Sequence, residues 1–361
     1  MKKLISSLAV MAVGVSGALA QQPAPAPTGK PADMTKPVKV FILMGQSNMV
    51  GMGKKPILEA AVKEKKKYPY LMDAQGAWAV RSDVRFVRFM QGKGELNNEW
   101  MTAGGGGTIG PELGLGFALG DAFQDPVMIL KSCIGNRGLG WDLLPPGSER
   151  FTAVKKDKAG VEKTYVYGGY KDLTNLWEAD PAKGAATEPP PPAINKKTGK
   201  PNDWYAGKNY DEDTADAKKA LADIGKYYPG AAKYEVAGFF FWQGEKDAGD
   251  PVYAENYEKN LVRFIKALRK DFNAPNAKFV LGTMGEATKG MDNSTGKILN
   301  AHLAVDGTAG KYPEFKGNVA TIYTNPMAQG GGGNGHYGGN SEVYMDVGEV
   351  MGKAMVGLLG K

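Results

Sequence analysis

The sequence predicts an α/β protein with a mostly parallel sheet that is covered by helices on both faces. Three observations support this prediction. Short apolar runs at 38–44, 126–131 and 235–242 have the continuous hydrophobicity of strands buried on both faces. Segments of helical character lie between these runs. The runs end in glycine and polar residues, and ligands of open α/β sheets bind at this edge.

Length and composition fit one large globular domain or two small ones. The chain has 361 residues, of which 42% are hydrophobic and 23% charged. Residues 1–20 differ, because Lys2 and Lys3 precede an apolar run that closes with Ala-Leu-Ala, the pattern of a cleaved signal peptide. The run is too short and too interrupted for a membrane anchor. We therefore expect an exported protein, periplasmic or secreted, with no membrane attachment after cleavage.

The formal charge of +7 does not indicate a nucleic-acid partner. A nucleic-acid binder shows a basic stripe interleaved with aromatic residues. Here the lysines are scattered or lie in two runs at 63–67 and 155–163, which favours a solvated face. Cys133 is the only cysteine, so no intrachain disulfide can form, and we expect a buried small side chain. Only His302 and His336 can serve a mechanism that needs histidine.

The folded domain is predicted to span 38–361, after a proline-rich linker at 21–37. Its first strand stops at Gly45, and Gln46, Ser47 and Asn48 follow, so a hydroxyl stands where a buried strand ends. Serine is also a favoured helix N-cap, and the local sequence leaves both roles open. The other predicted elements are helices at 57–68, 215–227, 253–272, 297–305 and 342–359, and strands at 84–90, 278–282 and 319–323.

Two glycine-rich loops and one insertion interrupt this alternation. Four glycines at 104–107 precede Gly110, whose N–H we expect to point outward because Pro111 starts a helix directly behind it. The strand at 126–131 leads into a second glycine-rich loop, which carries Arg137, Trp141 and Asp142 and either lines a sugar site or is a surface loop. Residues 145–202 are rich in proline, lysine and glycine, which predicts an insertion on the main domain.

Several of these loops carry the groups that serine ester hydrolysis requires. Serine attack needs a base, donors for the oxyanion and usually an acid that orients the base. His336 is the natural base because it lies in the last glycine-rich loop, whereas His302 lies midway along a predicted helix. The predicted oxyanion donors are the N–H groups of Ser47 and Gly110 and the side-chain amide of Gln243.

Four ordered blocks resemble the SGNH-hydrolase carbohydrate esterases. The nearest likeness is to the sialate O-acetylesterase domain, which is related to the acetylxylan esterases of carbohydrate esterase family six. The blocks are Gly-Gln-Ser-Asn-Met from 45, Ile-Gly-Pro-Glu-Leu from 109, Trp-Gln-Gly-Glu from 242, and His-Tyr at 336. The resemblance covers about 38–359. It implies a flavodoxin-like three-layer α/β/α fold, no metal or other cofactor, and removal of O-acetyl groups from an acetylated carbohydrate.

Carried over by position, the resemblance makes Ser47 the nucleophile and His336 the base, with Gly110 and Gln243 in the oxyanion hole. We assign substrate binding to four further residues of these loops: Gln46, Asn48, Arg137 and Trp141.

The chain departs from the resemblance at one position. Such families commonly place an aspartate three residues before the histidine, and here that residue is Gly333. Either a carboxylate elsewhere orients the histidine or a backbone carbonyl does so. Glu245, with Asp247 behind it, is the first candidate carboxylate because it already lies in a site loop. Equally, Glu245 is a structural carboxylate that fixes the turn of Gln46 and Ser47.

Two other interpretations compete with this one. An α/β-hydrolase would also use serine and histidine, but its Gly-x-Ser-x-Gly turn follows several strands, whereas here Met49 stands in the fifth place and Ser47 follows the first strand. A secreted, non-catalytic carbohydrate-binding domain of the same fold is the alternative from a different class, and Gly333 is its motivation. Acetate release by the wild type and by Ser47→Ala distinguishes the serine esterase from the binding domain. A wild type no faster than Ser47→Ala would favour the binding domain.

Overall fold

The computed structural model describes residues 27–361, and the predicted signal peptide lies outside this part. The strands of the described part are β1 (Pro27–Thr28), β2 (Val38–Gly45), β3 (Gly53–Lys54), β4 (Val80–Met90), β5 (Gly94–Thr102), β6 (Thr108–Ile109), β7 (Val127–Ser132), β8 (Phe151–Lys156), β9 (Glu162–Tyr167), β10 (Leu176–Glu178), β11 (Tyr234–Trp242), β12 (Lys278–Gly282) and β13 (Val319–Ile322).

The α-helices of residues 27–361 alternate with these strands. They are α1 (Ser47–Val50), α2 (Lys55–Lys63), α3 (Glu112–Ala122), α4 (Lys208–Ala222), α5 (Ile224–Tyr227), α6 (Glu245–Ala248), α7 (Pro251–Asp271), α8 (Ser294–Ala304) and α9 (Ser341–Leu358). None of the helices in the described part is both long enough and apolar enough to cross a bilayer.

The central sheet has the order β1-β4-β7-β2-β11-β12-β13. These neighbours pair in parallel, and β5 alone is antiparallel, on β4. The prediction of an α/β protein with a mostly parallel sheet is confirmed. The central position of β2 follows from its sequence, because strands with apolar residues on both sides are stable only under cover on both faces.

Helices cover both faces of this sheet. Val40, Ile42 and Met44 of β2 belong to one apolar cluster with residues of α4, α7 and α8. Phe41 and Leu43 point the other way, into a second cluster with residues of α2, α3 and α9. Alternate residues of one strand therefore fill two cores, as the two-residue repeat of a strand requires.

Residue 47 lies where the strand order reverses. After β7 on one side of β2, the next strand of the sheet along the chain is β11 on the other side. A crevice opens at such a switch point beyond the carboxyl ends of the strands, and ligands of open α/β sheets bind there. The loop after β2 begins at this crevice.

Four details differ from, or add to, the sequence expectations. β5 was not expected, because its exposed face gives it little apolar character. α4 starts at Lys208, before the predicted 215, since its inner face includes the polar Asn209 and Asp213. Residues 27–37, expected to be linker, contribute β1 to the sheet edge. Within the insertion, β8, β9 and β10 form an antiparallel sheet.

Candidate active site

Ser47 is the first residue of a single helical turn that follows β2. Gly45, at the end of β2, has φ +145°, and a side chain there would collide with the carbonyl of Trp242. The N-cap of the turn is Gln46, and no side chain caps it. Ser47 is therefore not a capping residue. Its side chain is partly exposed and makes no hydrogen bond within residues 27–361, so the hydroxyl is free for chemistry.

His336 lies on a strained segment between β13 and α9. His336, Tyr337 and Gly338 all have left-handed backbone angles, with φ of 54°, 52° and 63°. Such angles cost about 1–2 kcal/mol for each non-glycine residue. Tyr337 offsets this cost, because its buried ring stacks on Trp242 at 5.9 Å and meets Tyr344 edge-on. The buried Tyr337 thus holds the partly exposed His336 in a fixed place.

One cleft brings Ser47 and His336 together. Its walls also include Glu245, Gly135 and Asn136. Within residues 27–361, Ser47 and His336 form no hydrogen bond with each other, and catalytic hydrogen bonds are often long before substrate binds. We call this space the Ser47 cleft. It joins the first and the last loop at the carboxyl edge of the sheet.

Glu245 holds the turn that carries Ser47 through hydrogen bonds to both neighbours of the serine. Its carboxylate accepts hydrogen bonds from Gln46 Nε2 and, at 2.7 Å, from Asn48 Nδ2. Burial, followed by the nearby Glu286 carboxylate, raises the pKa of Glu245 to about 7. Of the two predicted roles, fixing the turn is the one these contacts display. No hydrogen bond joins Glu245 to His336 in the described chain, although both line the cleft.

Asn48 does not face the cleft, so its assignment to substrate binding was wrong. It is fully buried, and Nδ2 also donates to the Gly333 carbonyl at 3.0 Å, while Oδ1 accepts from Tyr344 at 3.0 Å. All hydrogen-bonding groups of this amide are occupied. Gln46 does line the cleft, and its buried Oε1 has no partner in residues 27–361.

Gln243 does not supply an oxyanion donor, contrary to the prediction. It is fully buried, and its Nε2 donates to the Arg137 carbonyl at 2.9 Å and to Asp247 Oδ2 at 2.6 Å. Its Oε1 accepts from the Tyr257 hydroxyl at 2.7 Å. A buried amide must satisfy both its N–H groups, and here the loop after β7 provides one acceptor and α6 the other. Gln243 therefore positions that loop.

Gly110 is also absent from the oxyanion hole. Its N–H donates to Glu112 Oε1 at 3.0 Å, inside a buried cluster that includes Lys131. The N–H was expected to point outward because Pro111 starts a helix. In the structure the side chain of Glu112, at the start of that helix, turns back and accepts the Gly110 N–H. Close approach to Gly51 explains the glycine, since a Cβ here would stand 2.9 Å from Gly51 Cα.

Gly135 is the residue that sequence reasoning missed. It follows β7, the strand next to β2, and a Cβ built on it would stand 3.4 Å from Ser47 Cβ. In residues 27–361 its N–H has no hydrogen-bond acceptor. The sequence did contain a signal for Gly135. It lies in the loop after β7, and loops that follow neighbouring parallel strands meet at the same edge of the sheet. The prediction instead singled out the larger side chains of that loop.

Those larger side chains, Arg137 and Trp141, do not line the Ser47 cleft, and their assignment to substrate binding stays a prediction. The Arg137 guanidinium lies 4.7 Å from the centre of the Trp204 ring, and its Nε donates to Asn209 Oδ1 at 2.7 Å. The Trp141 carbonyl accepts the Gly207 N–H at 2.7 Å. Arginine stacks readily on aromatic faces. Both residues thus join the loop to the start of α4.

His302 belongs to the core. It is fully buried in α8, its Nε2 lies 3.1 Å from the Tyr257 hydroxyl, and burial lowers its pKa to about 3. Cys133 is likewise buried, as expected. In the described chain, no group of three or more His, Cys, Asp or Glu side chains could hold a metal ion.

Asp247→Ala is expected to lower the free energy of unfolding by about 2–5 kcal/mol, because each buried donor left without an acceptor costs about 1–3 kcal/mol. The Asp247 carboxylate accepts from Leu139 and Gly140 N–H at 2.8 and 2.7 Å, besides Gln243. Urea unfolding measures the effect, with the exposed Asp203→Ala as control. Equal midpoints for the two variants would refute this role.

Fold and cleft define an α/β protein that presents a free serine hydroxyl and a histidine in one open site. The family described as carbohydrate esterase, sialic acid-specific acetylesterase matches residues 198–356 of this chain. This match confirms the resemblance inferred from the sequence, and the family is one of carbohydrate acetylesterases. The matched segment contains Gln243, Glu245 and His336, whereas Ser47 precedes it.

The solved structures to which the chain is similar share little sequence with it. A protein from Arabidopsis thaliana is 16% identical, with a TM-score of 0.49, over 89% of this chain and 99% of its own. A carbohydrate acetylesterase from Xanthomonas citri is 12% identical, with a TM-score of 0.45, over 90% of this chain and 57% of its own. NanS is 13% identical, with a TM-score of 0.41, over 80% and 78%. Among curated proteins, none matches the chain.

Proposed function

We propose that this chain is an exported serine esterase that removes O-acetyl groups from carbohydrate, either sialate or an acetylated plant or algal polysaccharide. The observation that carries the proposal is the meeting of Ser47 and His336 in one cleft at the switch point of the sheet. The family match supports the acetyl ester as substrate. We assign the fold to the three-layer, flavodoxin-like SGNH type.

In the proposed mechanism, Ser47 Oγ attacks the acetyl carbonyl while His336 takes the hydroxyl proton. The negative oxygen of the tetrahedral intermediate is stabilised by the N–H groups of Ser47 and Gly135, each contributing a rate factor of roughly 100 to 1,000. Collapse releases the sugar hydroxyl, which takes its proton from His336, and leaves an acetyl-enzyme. Water, deprotonated by His336, then releases acetate and restores Ser47.

Glu245 has a supporting role in this mechanism. Its carboxylate keeps Gln46 and Asn48, the two neighbours of Ser47, in place. It also lies in the same cleft as His336 and is the proposed source of the negative charge that stabilises the imidazolium during the reaction.

Acetate release from acetylated xylan, O-acetylated sialic acid and p-nitrophenyl acetate tests the proposal. We expect the wild type to release acetate, and Ser47→Ala to release it roughly 10,000-fold more slowly, with the rate that the oxyanion donors and substrate binding leave. Ser294→Ala is the matched control, because Ser294 is also the first residue of a helix but lies outside the cleft. If Ser47→Ala matches the wild type, the chain is no serine esterase, and the non-catalytic carbohydrate-binding alternative replaces it.

A further inference from the structure

We propose that Glu286 is a positioning residue of this site, which holds the segment carrying His336 and, together with Glu245, occupies the space of the side chain that residue 333 lacks. Glu286 lies in the loop after β12, which no pattern in the sequence singled out. The inference rests on the proposed function for its kinetic consequences.

Gly333 is held through both of its peptide groups. Its N–H donates to Glu286 Oε2 at 2.8 Å, and its carbonyl accepts from Asn48 Nδ2 at 3.0 Å. Gly333 is buried, although its neighbours in the 330–335 loop are mostly exposed. The N–H and the carbonyl of Gly333 are thus both hydrogen-bonded, one to Glu286 after β12 and the other to Asn48 after β2. The segment that ends in His336 therefore starts from a fixed point three residues earlier.

The space beside Gly333 is already filled. A Cβ built on this residue would stand 2.5 Å from Glu286 Oε2 and 2.7 Å from Glu245 Oε1. Both distances are below those of real Cβ contacts. A side chain at 333 would have to displace both carboxylates, and an aspartate would add a third negative charge. Glycine fits at position 333 because the carboxylates of Glu245 and Glu286 occupy the space that a side chain would need.

The carboxylates of Glu245 and Glu286 also interact through their charges. No ion pair in the described chain neutralises Glu245 or Glu286. The titratable groups around the pair are Tyr337 from the strained segment, Tyr344 from α9 and Tyr257 from α7, with His336 and Lys246 in the cleft. Burial and the negative charge of Glu286 raise the pKa of Glu245. Removing that charge should make Glu245 easier to ionise.

Two substitutions separate the hydrogen bond from the charge. Glu286→Gln keeps an oxygen that can accept the Gly333 N–H but removes the charge, whereas Glu286→Ala removes both. We expect Glu286→Ala to lower kcat for acetate release about tenfold or more with KM within twofold, since the segment loses its anchor. We expect Glu286→Gln to keep kcat within about threefold on the alkaline plateau and to move the acidic limb of the pH profile to lower pH.

The control is Glu255→Gln, which removes an exposed carboxylate that pairs with Lys297 outside the cleft. It should leave kcat and the pH profile unchanged. The proposal is overturned if Glu286→Ala retains wild-type kcat while Ser47→Ala is inactive, or if Glu286→Ala and Glu286→Gln lose activity equally at every pH.

A second measurement does not depend on activity. The chain has only two histidines, and His302 is buried, so the His336 imidazole signal can be followed by NMR and assigned with His302→Ala. We expect Glu286→Ala to shift or broaden this signal, and Glu255→Gln to leave it unchanged. An unaltered His336 signal in Glu286→Ala would refute the positioning role, even for a chain in which Ser47→Ala shows that the proposed esterase activity is absent.

Discussion

His336→Ala is expected to reduce kcat for acetate release roughly 10,000-fold, with the remaining rate due to the oxyanion donors and substrate binding alone. Without the imidazole, no other side chain that lines the Ser47 cleft in the described part of the chain is free to take the hydroxyl proton. Glu245 is already held by two amides, and Lys246 is a cation. Initial rates with p-nitrophenyl acetate and an acetylated carbohydrate measure this loss.

His302→Ala is the matched control for this prediction. The His302 side chain is buried in α8 against Tyr257, so we expect a lower unfolding midpoint and a kcat within about threefold of wild type. The double variant Ser47→Ala, His336→Ala should be no slower than Ser47→Ala, because residues that act as one unit are not additive. Equal losses in both single histidine variants, or a loss in His302→Ala alone, would mean that His336 is not the base.

Glu112→Gln is expected to lower the free energy of unfolding at pH 7 by about 3–5 kcal/mol, because it leaves a buried charge without its partner. The Lys131 side chain is completely buried, forms an ion pair with Glu112 and donates to the Val50 carbonyl at 3.0 Å. Glu112 also accepts the Gly110 N–H. The substitution keeps the shape of the side chain but removes the carboxylate that pairs with Lys131.

The deficit of Glu112→Gln should shrink as the pH rises. Burial lowers the pKa of Lys131 in the folded chain, whereas in the unfolded chain it stays at about 10.4. The Glu112 charge raises the pKa of Lys131, so this pKa falls further in Glu112→Gln. Between the folded-state pKa values of the variant and the wild type, only the variant binds fewer protons folded than unfolded, so only its stability increases with pH. Guanidinium unfolding at pH 7 and pH 9.5 measures the change. Glu59→Gln, which breaks an exposed pair with Lys63, should have no measurable effect. A Glu112→Gln deficit equal to that of Glu59→Gln would show that the pair is not needed.

The sheet could be predicted from the sequence because its central strands are buried on both faces. The sequences of β2, β7, β11 and β12 are continuously apolar. Such a sequence is stable as a strand only where both faces of the sheet are covered. β5 was missed for the same reason, since its outer face is exposed and its pattern is polar.

By itself, the sequence also identified the loop residues that meet. Ser47 follows the first buried strand and His336 the last, and loops at the carboxyl ends of parallel strands share one edge. Position in the strand order was enough to bring these two residues into one cleft.

Only the tertiary structure decided what each polar group in these loops does. Gln243, Asn48 and Gly110 carry the groups that a substrate site needs, yet each is hydrogen-bonded inside the protein. Glu286 and Gly135 gain their importance from contacts with distant loops. The physical reason is that a buried donor or acceptor must find a partner, and the fold supplies partners from segments far apart in the chain. The local sequence does not show which distant segment provides the hydrogen-bond partner.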